Sequence, residues 1–215
     1  MYNKILVLGA AGQIGRILTK DLLEQTDSDL VLFGRNITDR LSIQNDRVEL
    51  VNGDFSDEKT LEKAIQDVDL VFVNAMNRAQ DIQVIAKVLE SKPGIKMLGA
   101  SMAGLHDDVP KALEEFAQQN LPSSYIEGEK ESAQIIEDSN IDYTLLHLTW
   151  LYDDPSNTSY ELVPTPEILK DAQVTREAVG QAVIDIITDE DQNKYKRKGF
   201  GVGEPNTHYD KPSFY

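Results

Sequence analysis

The sequence of 215 residues predicts an α/β protein in which a doubly wound parallel sheet lies between two layers of helices, as a three-layer sandwich. Three observations predict this fold. Short apolar runs alternate with amphipathic segments, the runs are continuous as in strands buried on both faces, and a glycine-rich turn follows the first run. Repeated strand–helix–strand units join parallel strands by right-handed crossovers. No Pro-, Gly- or Ser-rich stretch is long enough to divide the chain, so we expect one domain over residues 1–215.

Six apolar runs rich in Val, Ile and Leu are predicted as strands. In chain order they are Ile5–Leu8, Leu30–Phe33, Val48–Val51, Leu70–Val73, Ile95–Leu98 and Tyr143–Leu148. Helices are predicted between them, near Ile14, after Ser56 as N-cap, from Ile82 to Pro93-Gly94, from Ser124 to Asp138, and over Ala178–Ile187. Two segments are predicted as loops. They are a substrate-binding region at 149–170, which includes the surface stretch Asp153–Pro166, and a tail at 199–215 that caps the domain.

The composition excludes several classes of function. Lys and Arg total 21 against 37 Asp and Glu, for a net charge of −16, so we expect neither a nucleic-acid nor a membrane partner. No apolar stretch is long enough to span a membrane, and we expect no secretory signal. The absence of cysteine excludes disulfides and fits a cytoplasmic protein. His106, His147 and His208 are scattered, so we expect no metal site, and His147 is interpreted as a half-buried structural residue.

A glycine-rich turn joins the first strand to the first helix. Gly9 permits a sharp turn, Gly12 lets the backbone approach a diphosphate, and Gly15 allows close packing of helix on strand. The backbone N–H groups at the start of the helix then face the phosphates. The candidate cofactor contacts of this turn are Gly9, Ala11, Gly12, Gln13, Ile14 and Gly15. The alternative is a tight turn that binds no ligand.

With its G-x-x-G-x-x-G spacing, the chain resembles the short-chain dehydrogenase/reductase superfamily, and within it the atypical NAD(P)H-binding branch of NmrA-like and flavin/biliverdin reductase-like proteins. The resemblance covers nearly the whole chain and implies a Rossmann-like fold. It also implies roles for residues at the strand ends. Cofactor contacts are implied at Asp54 and Phe55 beside the adenine, at Asn74, Ala75 and Met76 after the fourth strand, at Ser101, and at Lys130 on the ribose.

The end of the second strand indicates which dinucleotide binds. An NAD site usually has an Asp or Glu about 20 residues after the glycine turn, where it holds the ribose hydroxyls. Here the segment Leu32–Asn36 has Arg35 and no acidic residue, and a guanidinium binds a 2′-phosphate. We therefore expect NADP rather than NAD. The alternative is that Arg35 is a solvated surface charge, and Arg40 assists only if its loop folds back.

Candidate catalytic residues are Ser101, Tyr125 and Lys130. Standard members of the superfamily have a Tyr and a Lys separated by three residues, whereas four residues separate Tyr125 from Lys130. A five-residue step on a helix rotates by roughly 500°, so the two side chains do not lie side by side unless Gly128 marks an irregularity. The resemblance implies that Lys130 binds ribose, and the alternative is a surface lysine. Tyr125 is a proton donor or a partly buried residue near the helix start. Ser101 hydrogen-bonds a substrate carbonyl or the nicotinamide amide, or caps the turn after the strand.

These observations predict an NADP(H)-binding oxidoreductase that transfers hydride from NADPH to a small conjugated acceptor such as a flavin, quinone or carbonyl. The alternative is a non-catalytic NADP-binding redox sensor of the NmrA type, because the Tyr–Lys pair is irregular. Trp150, Tyr152 and Tyr160 surround the predicted loop and either stack on a planar acceptor or pack the loop against the core. The sequence leaves monomer and homodimer open.

Overall fold

A computed structural model describes residues 2–215, and within this range the chain forms ten strands and seven α-helices. The strands are β1 Lys4–Leu8, β2 Asp29–Gly34, β3 Val48–Asn52, β4 Leu70–Val73, β5 Lys96–Met102, β6 Asp142–Leu148, β7 Trp150–Tyr152, β8 Glu161–Pro164, β9 Gln173–Thr175 and β10 Lys198–Gly203. The helices are α1 Gln13–Gln25, α2 Ile37–Arg40, α3 Glu58–Ala64, α4 Ala79–Glu90, α5 Lys111–Asn120, α6 Ser123–Asp138 and α7 Arg176–Thr188.

Eight strands form one sheet in the order β3-β2-β1-β4-β5-β6-β10-β8. All neighbouring pairs are parallel except β10 and β8. The chain reverses direction across the sheet between β1 and β4, and in doubly wound folds this switch point opens a crevice at the carboxyl ends of the strands. The predicted α/β fold class is therefore confirmed. Strands β7 and β9 form a separate parallel pair.

Helices cover both faces of the sheet, which explains why its strands are apolar without alternation. Ile5 and Val7 of β1 belong to the core shared with α1 and α7, whereas Leu6 and Leu8 belong to the core shared with α3, α4 and α6. All four side chains are at most 1% exposed. Strand β1 therefore contributes to two cores, and the crevice at its carboxyl end rests on a closely packed base.

The prediction that the tail and Asp153–Pro166 are loops is wrong in part, because β10 lies at the start of the tail and β8 lies within Asp153–Pro166. Strand β10 pairs in parallel with β6 through the Phe200–Leu146 register, and β8 pairs antiparallel with β10. The sequence of β10, Lys-Gly-Phe-Gly-Val-Gly, has low strand propensity because of its glycines. Close packing explains two of these glycines: a Cβ on Gly201 would lie 2.8 Å from Leu169, and one on Gly203 would lie 2.4 Å from Asp171.

Smaller differences concern helix boundaries. The N-cap of α3 is Asp57, whose side chain accepts a hydrogen bond from the backbone N–H of Thr60, rather than Ser56. Ser56 instead donates to Asp54. Helix α5 follows a loop at 103–110 and was not predicted. Across residues 2–215, none of the helices combines the length and the apolar character needed to cross a membrane.

Candidate active site

Two adjoining cavities occupy the crevice at the carboxyl ends of the strands, with volumes of about 520 Å³ and 270 Å³. Asn74, Ala75 and Asn77, in the segment after β4, line both of them. The cavities therefore form one groove that crosses the switch point between β1 and β4. Polar and charged side chains dominate the smaller cavity, whereas the larger one has an apolar wall that includes Leu113, Ala117, Leu121, Ile126 and Trp150.

The glycine-rich turn forms one side of the smaller cavity. Gly9 has a φ of 81°, a conformation that disfavours other residues. A Cβ on Gly12 would lie 2.6 Å from Nδ2 of Asn74, and that amide nitrogen donates to the Gly9 carbonyl at 3.1 Å. A Cβ on Gly15 would lie 2.6 Å from the Gly9 carbonyl oxygen, so Gly15 packs the helix against the turn. This arrangement is a backbone cradle of the kind that diphosphates occupy.

The other predicted residues of the turn separate into two groups. Gly9, Ala11 and Gly12 line the smaller cavity, and Ile14 lines the larger one. Gln13 is exposed at the first position of α1 and lines neither cavity.

Three arginines line the smaller cavity: Arg35, Arg40 and Arg78. The side chain of Arg35 is 73% exposed, and its Nε lies 3.7 Å from Oδ2 of Asp54. Arg40 donates to the carbonyl of Ala11 at 3.3 Å, so the loop after β2 folds back onto the glycine-rich turn. No carboxylate stands at the end of β2, where Gly34 is followed by Arg35 and Asn36.

Asp54 and Phe55 line the same cavity, as predicted for the adenine side. Hydrogen bonds from the Ser56 hydroxyl and backbone N–H lower the pKa of the Asp54 carboxyl, so it is ionised at neutral pH. The ring of Phe55 stacks on Phe33 at a centroid distance of 6.1 Å.

The structure corrects the interpretation of Met76, which is completely buried in the core and lines neither cavity.

Ser101, Tyr125 and Lys130, the three candidate catalytic residues, all line the larger cavity. Ser101 is the buried next-to-last residue of β5, and Tyr125 and Lys130 belong to α6. Helix α6 is continuous through Gly128, so the irregularity that would bring Tyr125 beside Lys130 is absent from this helix. Gly128 has a different function: a Cβ there would lie 2.3 Å from the carbonyl oxygen of Asn77, so glycine allows α6 to approach the groove.

Glu129 is a side chain of the candidate site that the sequence interpretation missed. It is 3% exposed, lines the larger cavity and accepts a hydrogen bond from the Ser101 hydroxyl at 3.2 Å. The hydroxyl of Tyr125, one helical turn earlier, is near enough to this carboxyl to influence its pKa. Burial raises the pKa of the Glu129 carboxyl to about 7, and the two hydroxyls oppose this shift only in part. The available sequence signal was the four-residue spacing from Tyr125, which places both residues on one helix face.

The environment of Tyr125 differs from that of a tyrosine prepared for proton transfer. Burial, followed by the nearby charge of Glu129, raises its pKa to about 12. Among the causes of this shift there is no cation that would stabilise a phenolate. The group in this cavity with a pKa near neutrality is therefore the carboxyl of Glu129.

The aromatic residues near 149–170 differ in their roles. Trp150 lines the larger cavity and packs edge to face against Phe116 and Tyr215, at centroid distances of 5.0 Å and 5.1 Å. Tyr152 donates to Glu204 at 2.7 Å, and Tyr160 donates to Asp185. Trp150 thus borders the larger cavity, whereas Tyr152 and Tyr160 attach the loop to the rest of the molecule.

A comparison with known protein families decides the assignment. The sequence profile of a family described as NAD(P)H-binding matches residues 9–190. The chain belongs to this NAD(P)H-binding family. The matched region contains the glycine-rich turn, the three arginines, and the Ser101–Glu129–Tyr125 cluster. The family is reductase-like, and solved structures similar to this chain have the Rossmann-like α/β fold seen here.

Solved structures of similar proteins agree with this assignment. A short-chain dehydrogenases/reductase of Veillonella parvula, solved in complex with NADP, is 45% identical, with all of both chains covered and a TM-score of 0.97. A Rossmann-fold NAD(P)-binding family protein of Shigella flexneri is 23% identical over 99% of both chains, with a TM-score of 0.80, and shows the fold alone.

Curated relatives are longer proteins. Isoflavone reductase of Medicago sativa is 30% identical over 163 residues, which cover 67% of this chain and 49% of the relative. "Probable pinoresinol-lariciresinol reductase 3" of Arabidopsis thaliana is 26% identical over 148 residues, which cover 67% of this chain and 46% of the relative. The chain thus spans about half the length of the curated relatives that it matches.

Proposed function

We propose that this protein is an NADPH-dependent oxidoreductase that reduces a small conjugated acceptor such as a flavin, quinone or carbonyl compound. The observation that carries the proposal is the single groove, with arginines at one end and a buried, protonatable carboxyl at the other. A dinucleotide needs an elongated site that crosses the switch point of the sheet. An acceptor needs an apolar cavity with a few convergent polar groups beside it.

The residues of the smaller cavity fit the adenosine and diphosphate parts of NADPH. The turn at Gly9–Gly12 would hold the diphosphate. Gly12 has no side chain, and a Cβ there would fill the space beside Asn74 that the diphosphate needs. Arg35 and Arg40 would hold the 2′-phosphate, since no carboxylate at the end of β2 opposes it. Asp54 and Phe55 would lie beside the adenine, and Lys130 would bind the nicotinamide ribose.

The larger cavity would hold the acceptor. When bound, NADPH supplies a hydride, and a two-electron reduction of a carbonyl or quinone also requires a proton at oxygen. With Glu129 protonated, its O–H would donate to the Ser101 oxygen, which frees the Ser101 hydroxyl to donate to the acceptor oxygen. Ser101 would pass its proton to that oxygen and take the proton of Glu129, which is then reprotonated from solvent. Burial favours this role, because a carboxyl with a pKa of about 7 is substantially protonated at neutral pH. Trp150 would pack against a planar acceptor at the apolar wall.

The test is a panel of flavins, quinones and conjugated carbonyls, each incubated with the protein and NADPH while the reduced-nicotinamide absorbance is followed. We expect oxidation with at least one planar acceptor and saturable binding of NADPH by calorimetry. NADPH binding without oxidation across the panel would instead support a non-catalytic redox sensor. Lack of NADPH binding would contradict both functions.

A further inference from the structure

Three potential metal ligands meet behind the wall of the larger cavity. His106 belongs to the loop between β5 and α5, Glu137 to the last turn of α6, and His147 to β6. One ligand atom from each lies within 4.8 Å of the other two. The two imidazole rings contact edge to face at a centroid distance of 5.3 Å, and Oε1 of Glu137 lies 3.1 Å from Nε2 of His106. The two histidines lie 41 positions apart in the sequence. None of the three residues lines either cavity of the groove.

His147 shows that this cluster is more than an accidental contact. Its side chain is 0% exposed, and among residues 2–215 neither Nδ1 nor Nε2 has a hydrogen-bond partner. Buried polar groups are almost always paired, and an imidazole with two unpaired nitrogens is costly to bury. Nearby, Oγ1 of Thr165 is also buried and unpaired within the described chain. A Cβ on Gly199 would lie 2.5 Å from Nε2 of His147 and 3.0 Å from that oxygen.

We propose that His106, Glu137 and His147 bind a divalent transition-metal cation of the zinc class. Two imidazole nitrogens and one carboxylate oxygen form a common Zn²⁺ ligand set, with a fourth position left for water or a further oxygen. Tetrahedral ligand atoms lie about 3.3 Å apart, so the present separations need to shorten by at most about 1.5 Å. His106 and Glu137 are only partly buried and are able to make this adjustment against the fixed ring of His147.

Such a site would act on the groove through the loop that carries His106. Ala103, Gly104, Leu105 and Asp107 of this loop line the larger cavity. A cation held between this loop and α6 would fix one wall of the cavity without touching an acceptor. The metal would therefore have a positioning role and take no part in hydride transfer.

The experiment uses the full chain without a polyhistidine tag, stripped with a chelator and kept in millimolar Mg²⁺ so that surface carboxylates are occupied. Zn²⁺ is titrated by calorimetry, and Co²⁺ by its visible absorption, which reports coordination geometry. We expect one site per chain with four-coordinate Co²⁺ spectra. His106→Asn and Glu137→Gln should each weaken binding by at least about tenfold.

His208→Asn is the matched control, because His208 is exposed and lies beside Asp171 outside the cluster. We expect its Zn²⁺ affinity to equal that of the wild type, and we expect Zn²⁺ to raise the melting temperature of the wild type but not of Glu137→Gln. His106 and Glu137 are partly exposed, so their variants should fold, which circular dichroism checks. The proposal is overturned if Zn²⁺ shows no saturable binding in the presence of Mg²⁺. It is also overturned if His208→Asn weakens Zn²⁺ binding as much as His106→Asn and Glu137→Gln do.

Discussion

The two halves of the groove are built in different ways. The smaller cavity depends on a continuous sequence motif, the turn at Gly9–Gly15, together with residues that immediately follow β2, β3 and β4. The larger cavity assembles side chains from β5, α5, α6 and β7, and its distinctive group is a carboxyl removed from water. The backbone provides the first half, and tertiary burial creates the chemical character of the second. The contrast teaches that binding and chemistry can be altered separately in this molecule.

The sharpest way to separate the halves is Glu129→Gln. We expect kcat for a carbonyl or quinone acceptor to fall by about 10²–10³-fold, because the proton donor is lost, with NADPH affinity unchanged. In the wild type the protonated carboxyl is the active form, so the rate should fall as pH rises through about 7. The variant should lose this pH dependence. Glu127→Gln, an exposed change two residues away, is the control, and an equal loss of kcat there would contradict the assignment.

Stability as a function of pH provides a second measure of the same carboxyl. The folded-state pKa of Glu129 is raised from 4.5 to about 7, so ionisation of the buried group disfavours the folded state. The contribution of Glu129 to the free energy of unfolding should therefore decrease by about 3 kcal/mol as pH rises from about 4.5 to above 7. Glu129→Gln should remove this decrease and be more stable than the wild type at pH 8. Denaturant unfolding at pH 5 and pH 8 measures both quantities, and a parallel decrease in the variant would exclude Glu129 as its source.

Gly128→Ala tests the contact where the two halves adjoin. The new Cβ would lie 2.3 Å from the Asn77 carbonyl oxygen, so α6 or the segment after β4 must move. We expect a loss of about 1–3 kcal/mol in the free energy of unfolding, although alanine is a better helix former than glycine. Thermal unfolding measures it. A stabilised variant would show that helix propensity outweighs the close contact.

Arg35→Ala should affect only the cofactor half. Loss of a charge-assisted hydrogen bond to the 2′-phosphate should raise the Kd for NADPH by about 10- to 100-fold while leaving that for NADH nearly unchanged. Calorimetry with both nucleotides measures this difference. Lys20→Ala removes one positive charge from an exposed position of α1 and is the control for net charge. Equal weakening of both nucleotides would place Arg35 outside the 2′-phosphate site.

Tyr125→Phe should have the smallest effect. In the proposed mechanism Tyr125, whose pKa is raised to about 12, orients Glu129 and Glu129 supplies the proton. We expect kcat to fall by about three- to tenfold, as for the loss of one hydrogen bond. The pH dependence of the rate should persist. A loss comparable to that of Glu129→Gln would identify Tyr125 as the donor instead.

Local patterns predicted what depends on adjacent residues. Short local segments were enough to predict the six apolar strands, the turn at Gly9–Gly15 and the basic end of β2. None of these predictions depends on a contact with a distant part of the chain. Strand β10 was missed because its glycines suit close packing against Leu169 and Asp171, a contact between distant segments. Glu129 was missed because a carboxylate in a Glu-rich helix resembles a solvated one until its burial is known. The contact between His106 and His147 was not predicted, because the two residues are distant in sequence and belong to separate elements.

Trp150 is the single tryptophan of the chain, and it borders the acceptor half of the groove. Its fluorescence therefore reports on one place. An acceptor that packs against the indole would quench the emission directly, while reduced nicotinamide bound beside Lys130 would receive its energy and emit in turn. The protein thus contains an optical probe that distinguishes a bound acceptor from bound reduced nicotinamide in solution and needs no label.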